Sequence, residues 1–120
     1  MSHISSQQIE LEAVLQDNGW RIIHRMSAEL EWWADEIWTI ESEWRPRGLK
    51  AYVTFLVDPF PYSHNRRRGE GVWAALCTAK LPASPRESEP IVEVSLNHWN
   101  KNVNVVATEL GRFRDTVAAN

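Results

Sequence analysis

Residues 34–58 read ADEIWTIESEWRPRGLKAYVTFLVD, and the way this stretch folds decides the architecture of the whole chain. Ala34, Trp38, Ile40 and Trp44 share one parity, and Asp35, Thr39, Glu41 and Glu43 share the other. A period of two with one apolar side predicts a half-buried strand. Arg45-Pro46-Arg47-Gly48 follows, with proline second and glycine fourth, the preference of a type I turn. Residues 49–57 are then rich in β-branched and aromatic side chains, which predicts a second strand and a hairpin. Pairing Trp44 with Leu49 sets Ser42 against Ala51, Ile40 against Val53 and Trp38 against Phe55, so that one side is nearly all apolar. Its reverse pairs Glu43 with Lys50 and Thr39 with Thr54. A glycine bulge at Gly48 would move the pairing by one residue and bring Trp44 against Lys50, which buries the ribbon less well.

Working outward, Asp58-Pro59-Phe60-Pro61 ends the second strand, because proline removes a ladder donor. Residues 72–81 predict another strand. Trp73, Ala75, Cys77, Ala79 and Leu81 form a face of mostly small residues that leaves room for Trp38 and Phe55, while Val72, Ala74 and Leu76 make the reverse apolar too. Residues 82–90 (PASPRESEP) read as a solvated loop, and residues 91–96 as a last strand with Val92, Val94 and Leu96 inward. Upstream, Trp20 to Met26 alternates as a short strand, and Ser27 to Trp33 carries no decisive pattern.

Helices bracket the strands. Ser5 with Gln8 makes a capping box, Ile4 with Ile9 a hydrophobic staple, and Asn18-Gly19 a stop, so a helix is expected over 5–18. Val103, Val106, Ala107, Leu110, Phe113 and Val117 recur at helical spacing, predicting a closing helix over 101–118 capped by Asn100 or Asn102. Gly111 beside that stripe suggests close approach to the sheet. The fold class is therefore α+β: a two-layer sandwich in which an antiparallel sheet of four to five strands carries an N-terminal and a C-terminal helix on one face. The other face is expected to stay partly open, with Ile37, Thr39, Glu41, Tyr52, Thr54, Leu56, Val72, Ala74 and Leu76 on it.

Composition bounds the rest. A chain of 120 residues suits a single domain over residues 1–120. The net charge of −3 counts against a general nucleic-acid binder. Charge is uneven: residues 1–62 hold ten acids and five bases, and residues 63–120 six acids and eight bases, with Arg66, Arg67 and Arg68 in one cluster. A lone cysteine, Cys77, allows neither an intrachain disulfide nor a cysteine zinc site. With no signal-peptide pattern at the start and no apolar run of about 18 residues, a cytoplasmic, membrane-free chain is expected.

Seven tryptophans stand out: 20, 32, 33, 38, 44, 73 and 99. Trp38, Trp44 and Trp73 are assigned to packing by parity. Of the adjacent Trp32 and Trp33 one is expected to be exposed as an interface anchor, and Trp99 to lie as a lid at the sheet edge. No histidine pair has metal-ligand spacing, no nucleophile elbow or phosphate loop is present, and Cys77 sits on an apolar parity. Catalytic residues, metals and cofactors are accordingly expected to be none.

The segment 62–71 is long for a hairpin loop, and its Tyr62, His64, Arg66, Arg67 and Arg68 suit anionic or stacking ligands. With Trp33, Tyr52 and His98 these are the candidate binding residues. The leading functional expectation is a small non-enzymatic interaction or ligand-binding domain that uses the open face and the 62–71 loop. Homodimerisation through Ile37, Leu56 and Leu76 is one form of it. The alternatives are nucleotide or nucleic-acid binding through Arg66–Arg68, and a small enzyme with its site near His64 and His98.

Overall fold

The computed structural model describes residues 4–27, 33–58, 69–82 and 89–120. Its elements run α1 (Ile4–Asp17), β1 (Trp20–Ser27), β2 (Ala34–Ser42), β3 (Lys50–Val57), β4 (Val72–Thr78), β5 (Pro90–Ser95) and α2 (Trp99–Ala119). The five strands form one sheet in the order β1-β2-β3-β4-β5, every neighbouring pair antiparallel. Trp38, Ile40, Val53 and Phe55 are fully buried in one cluster with Leu11 and Leu15 of α1 and Val103, Val106 and Leu110 of α2. Both helices thus cover one face, and the expected α+β sandwich is the observed one. No described helix is long and apolar enough to cross a membrane.

The β2–β3 pairing keeps the expected parity but slides by two residues: Trp38 faces Val53, Ile40 faces Ala51 and Glu41 faces Lys50. The shift comes from the connection. Strand β2 ends at Ser42, whose N–H donates to the Leu49 carbonyl at 2.8 Å, so residues 43–48 leave the ladder. This loop holds a cis Arg45–Pro46 peptide and Gly48 at φ 84°, not the expected type I turn. Trp44 is therefore not a core residue; it is 51 % exposed. An even slip returns the same side chains to the helix layer, which is why the core survives it.

Bulges account for other departures. In β4, Leu56 faces Ala74 but Val57 faces Val72, so Trp73 is the extra residue. It is 46 % exposed, and Val72 turns to the helix-side cluster and off the reverse face, where parity had put it. Strand β4 stops at Thr78, and Leu81 is exposed. At the other layer, α1 runs from Ile4, so Ser5 lies inside the helix; Ile9 is exposed, and the side chain of Ile4, its expected staple partner, lies outside the described residues. Helix α2 starts at Trp99, with His98 at the cap position in the left-handed region (φ 58°, ψ 39°). Asn102, expected as a cap, instead donates to the Ser95 and Asn97 carbonyls at 2.8 and 2.9 Å and ties the first turn to the end of β5. Trp99 is buried in the core rather than lying over an edge, and a Cβ on Gly111 would meet nothing within 4 Å.

The reverse face is not open at its middle. Trp33, Ala34, Ile37, Leu56, Ala74 and Leu76 form a second buried cluster with Tyr52 packed against it. Ile37, Leu56 and Leu76 keep only 3, 4 and 3 % of their surface in contact with solvent. A homodimer built through these three side chains has no apolar surface left to bury there, so that expectation is corrected. Trp33, buried in the same cluster, is not an exposed anchor.

Gly19 stops α1 as expected, with φ 78°. The turn it makes receives the 43–48 loop: Glu43 donates its N–H to the Gly19 carbonyl at 2.8 Å, and the Trp44 ring lies where a Cβ on Gly19 would come within 2.3 Å. Arg114 of α2 reaches the same place. It is 5 % exposed, its guanidinium stands 5.0 Å from the Trp20 ring and 4.6 Å from the Trp44 ring, and it donates to the carbonyls of Asn18 (2.9 Å) and Gly19 (3.4 Å) and to Ser42 Oγ (3.3 Å). Carbonyls at a helix C-terminus and aromatic faces both favour a cation. Burial still lowers the Arg114 pKa, with neighbouring Asp115 acting in the opposite direction.

Candidate functional site

Five of the expected binding residues, Tyr62, His64, Arg66, Arg67 and Arg68, lie outside the described residues. The ends flanking their segment are fixed. Asp58 donates its N–H to the Gly71 carbonyl at 2.9 Å, and the Gly69 N–H donates to Asp35 Oδ1 at 2.8 Å. The other three do not form one site. Trp33 is buried, and its carbonyl accepts from Val57, whereas Tyr52 lies opposite Thr78 at the far end of β3. The five steps from Tyr52 to Val57 span about 16 Å of strand. His98 is exposed at the start of α2, beyond the end of β5.

Cys77 is fully buried on the helix-side face opposite Val53 and Val92. Burial pushes its thiol up to about 12 from an ordinary 9.0, which suits a core residue and not a nucleophile. Between those two values the unfolded chain has released the thiol proton and the native protein has not. The native state then binds more protons, and stability falls as pH rises. Wild type is expected to lose about 1 kcal/mol more than Cys77→Ala between about pH 9 and pH 10 in urea unfolding. Equal pH slopes in the two proteins would contradict the buried neutral thiol.

The described surface offers a groove where β5 meets α2, with a volume of about 310 Å³. Its sheet side is Ala79, Glu89, Pro90 and Ile91. Its helix side is Glu109, Arg112, Phe113 and Thr116, spaced three, one and three residues apart and therefore on one helical stripe. This stripe adjoins the buried one of Val103, Val106 and Leu110, so the helix that closes the core also forms the groove wall. The floor is apolar, with Ile91 and Phe113 half-buried. The rim is charged: Arg112 pairs with Glu109 at 3.0 Å, and Glu89 is exposed.

The backbone of β5 shapes the groove from the sheet side. Pro90 faces Thr78 and Val92 faces Cys77, which leaves Ile91 as an extra, bulged residue. A bulge re-aims a side chain, and here Ile91 packs against the helix-side cluster. None of these eight residues reads as a site from the sequence. Phe113 reads as core from its spacing, and Glu89 belongs to a tract that reads as plain solvated loop. Among the described residues, no group of three or more His, Cys, Asp or Glu side chains is placed to hold a metal ion.

Compared with protein-family models, with curated proteins and with solved structures, the chain matches none.

Proposed function

We propose that this chain is a non-enzymatic protein-binding domain whose site is the groove between β5 and α2. The observation that carries the reading is the form of the groove: apolar floor, charged rim, and an edge strand as one wall. Small-molecule pockets enclose most of their ligand. A shallow groove between a strand edge and a helix instead suits an extended polypeptide, whose backbone pairs with the strand while alternate side chains fill the groove. Phe113 and Ile91 supply the apolar contact, and Arg112 and Glu109 the polar rim.

The test is selection of a random peptide display library on wild type, followed by binding of the recovered peptides to Phe113→Glu. A buried charge beside Ile91 is expected to weaken them at least about tenfold, since burying an unpaired carboxylate is costly. Circular dichroism controls for folding. Recovered peptides that bind Phe113→Glu as well as wild type, or no enrichment at all, would refute the groove as the site.

A further inference from the structure

Resting on that reading, the geometry points to a partner of defined pattern: an extended segment with alternating basic and apolar residues, added as a sixth strand beside β5. Among the described residues, strand β5 pairs only with β4 and ends the sheet, so its outer backbone edge is the place where another strand can hydrogen-bond. Its two faces differ. Val92 and Val94 face Cys77 and Ala75 on the helix side, where the groove lies. Glu93 faces Leu76 on the reverse side and is exposed.

Charge decides the partner's polar half. Residues 89–98 contain Glu89 and Glu93 and no lysine or arginine. Glu109 is already answered by Arg112, whereas Glu89 and Glu93 form no ion pair among the described residues. An added strand places successive side chains on opposite faces. Beside 92–95, those on the helix side adjoin Val92 and Val94, next to the groove end of the strand, and those on the reverse side adjoin Glu93. Opposite charges side by side on neighbouring strands are favourable and like charges unfavourable. Lysine or arginine alternating with valine-like residues satisfies both faces at once. The Ile91 bulge and Pro90 confine regular pairing to the stretch 92–95, so a short segment is accommodated.

The experiment uses two probes, the acetylated and amidated hexapeptides Lys-Val-Lys-Val-Lys-Val and Glu-Val-Glu-Val-Glu-Val, titrated calorimetrically into wild type and Glu93→Lys. Wild type is expected to bind the lysine peptide at least about tenfold more tightly than the glutamate peptide at low salt, with the gap narrowing as salt is added. Glu93→Lys, an exposed change, is expected to reverse the preference. The bound lysine peptide is expected to slow hydrogen exchange of amides within 92–95. Equal affinity for both probes, no binding of either, or binding without slowed exchange in β5 would overturn strand addition. Failure here with Phe113-dependent peptides still recovered from the library removes the basic-strand partner and leaves the groove. Loss of Phe113 dependence removes both.

Discussion

Trp38→Ala is expected to lower the unfolding free energy by about 4 kcal/mol, the scale for truncating a buried tryptophan. That is a large part of the roughly 5–15 kcal/mol that holds a domain together, so the variant is expected to be partly unfolded at modest temperature. The reason is position. The Trp38 side chain is wholly buried beneath the helices, edge-on to Phe55 with ring centroids 4.9 Å apart, and its indole N–H donates to the Glu36 carboxylate. The Arg25 guanidinium lies 4.7 Å from the ring centroid and pairs with Glu12 of α1, so the same ring also braces the contact between β1 and the helix layer. Trp38→Phe keeps most of the volume and is expected to cost less than half as much. Urea unfolding followed by far-ultraviolet circular dichroism measures both. A loss below about 1 kcal/mol for the alanine variant would mean that the ribbon is not held by this face.

Arg114→Ala is expected to cost about 3 kcal/mol, although the residue it removes is a cation. Replacing a buried ion with an apolar group is often harmless when its partners leave with it. Here they stay: the Asn18 carbonyl loses its 2.9 Å donor and the Ser42 hydroxyl its 3.3 Å one, while the Gly19 carbonyl keeps the Glu43 N–H and loses a longer 3.4 Å contact. The rings of Trp20 and Trp44 lose the charge between them. Lysine carries the charge but neither the planar stack nor the fork, so Arg114→Lys is expected to recover less than half of the loss. In a double-mutant cycle, Arg114→Ala and Trp44→Ala are expected to couple. Strict additivity would show that the two side chains do not act together.

The layer arrangement was readable because burial patterns follow the elements' own periods. Trp38, Ile40, Val53 and Phe55 lie at period two, and Val103, Val106 and Leu110 at helical spacing, and these positions specify their faces whatever the loops do. What could not be read depended on single-residue insertions and on contacts distant in sequence. Trp73 carries the parity of Ala75 and Cys77, yet one bulge exposes it. Trp44 carries the parity of Trp38, but the strand ends before it, and its ring answers Gly19 and Arg114, 25 and 70 residues away in the chain. The reverse face read as mixed and partly open, whereas Trp33 and its neighbours bury its middle.

The groove was hidden for a related reason. It needs the C-terminal half of α2 to lie over the start of β5, and nothing local in either segment announces that meeting. Phe113 belongs to the apolar stripe and Arg112 to the polar face of one helix, and only the sheet beside them turns their border into a wall. The 62–71 segment stands out in the sequence by its length for a hairpin loop and its composition, with arginines, a histidine and a tyrosine in one run.

The two locations predict different footprints, and nuclear magnetic resonance separates them. A ¹⁵N-labelled sample is titrated with a peptide recovered from the display selection. The largest amide shifts are expected at Ala79, Ile91, Phe113 and Thr116, on the two walls of the groove. Shifts gathered instead within residues 62–71, with those four amides unmoved, would contradict the groove as the place where this protein binds.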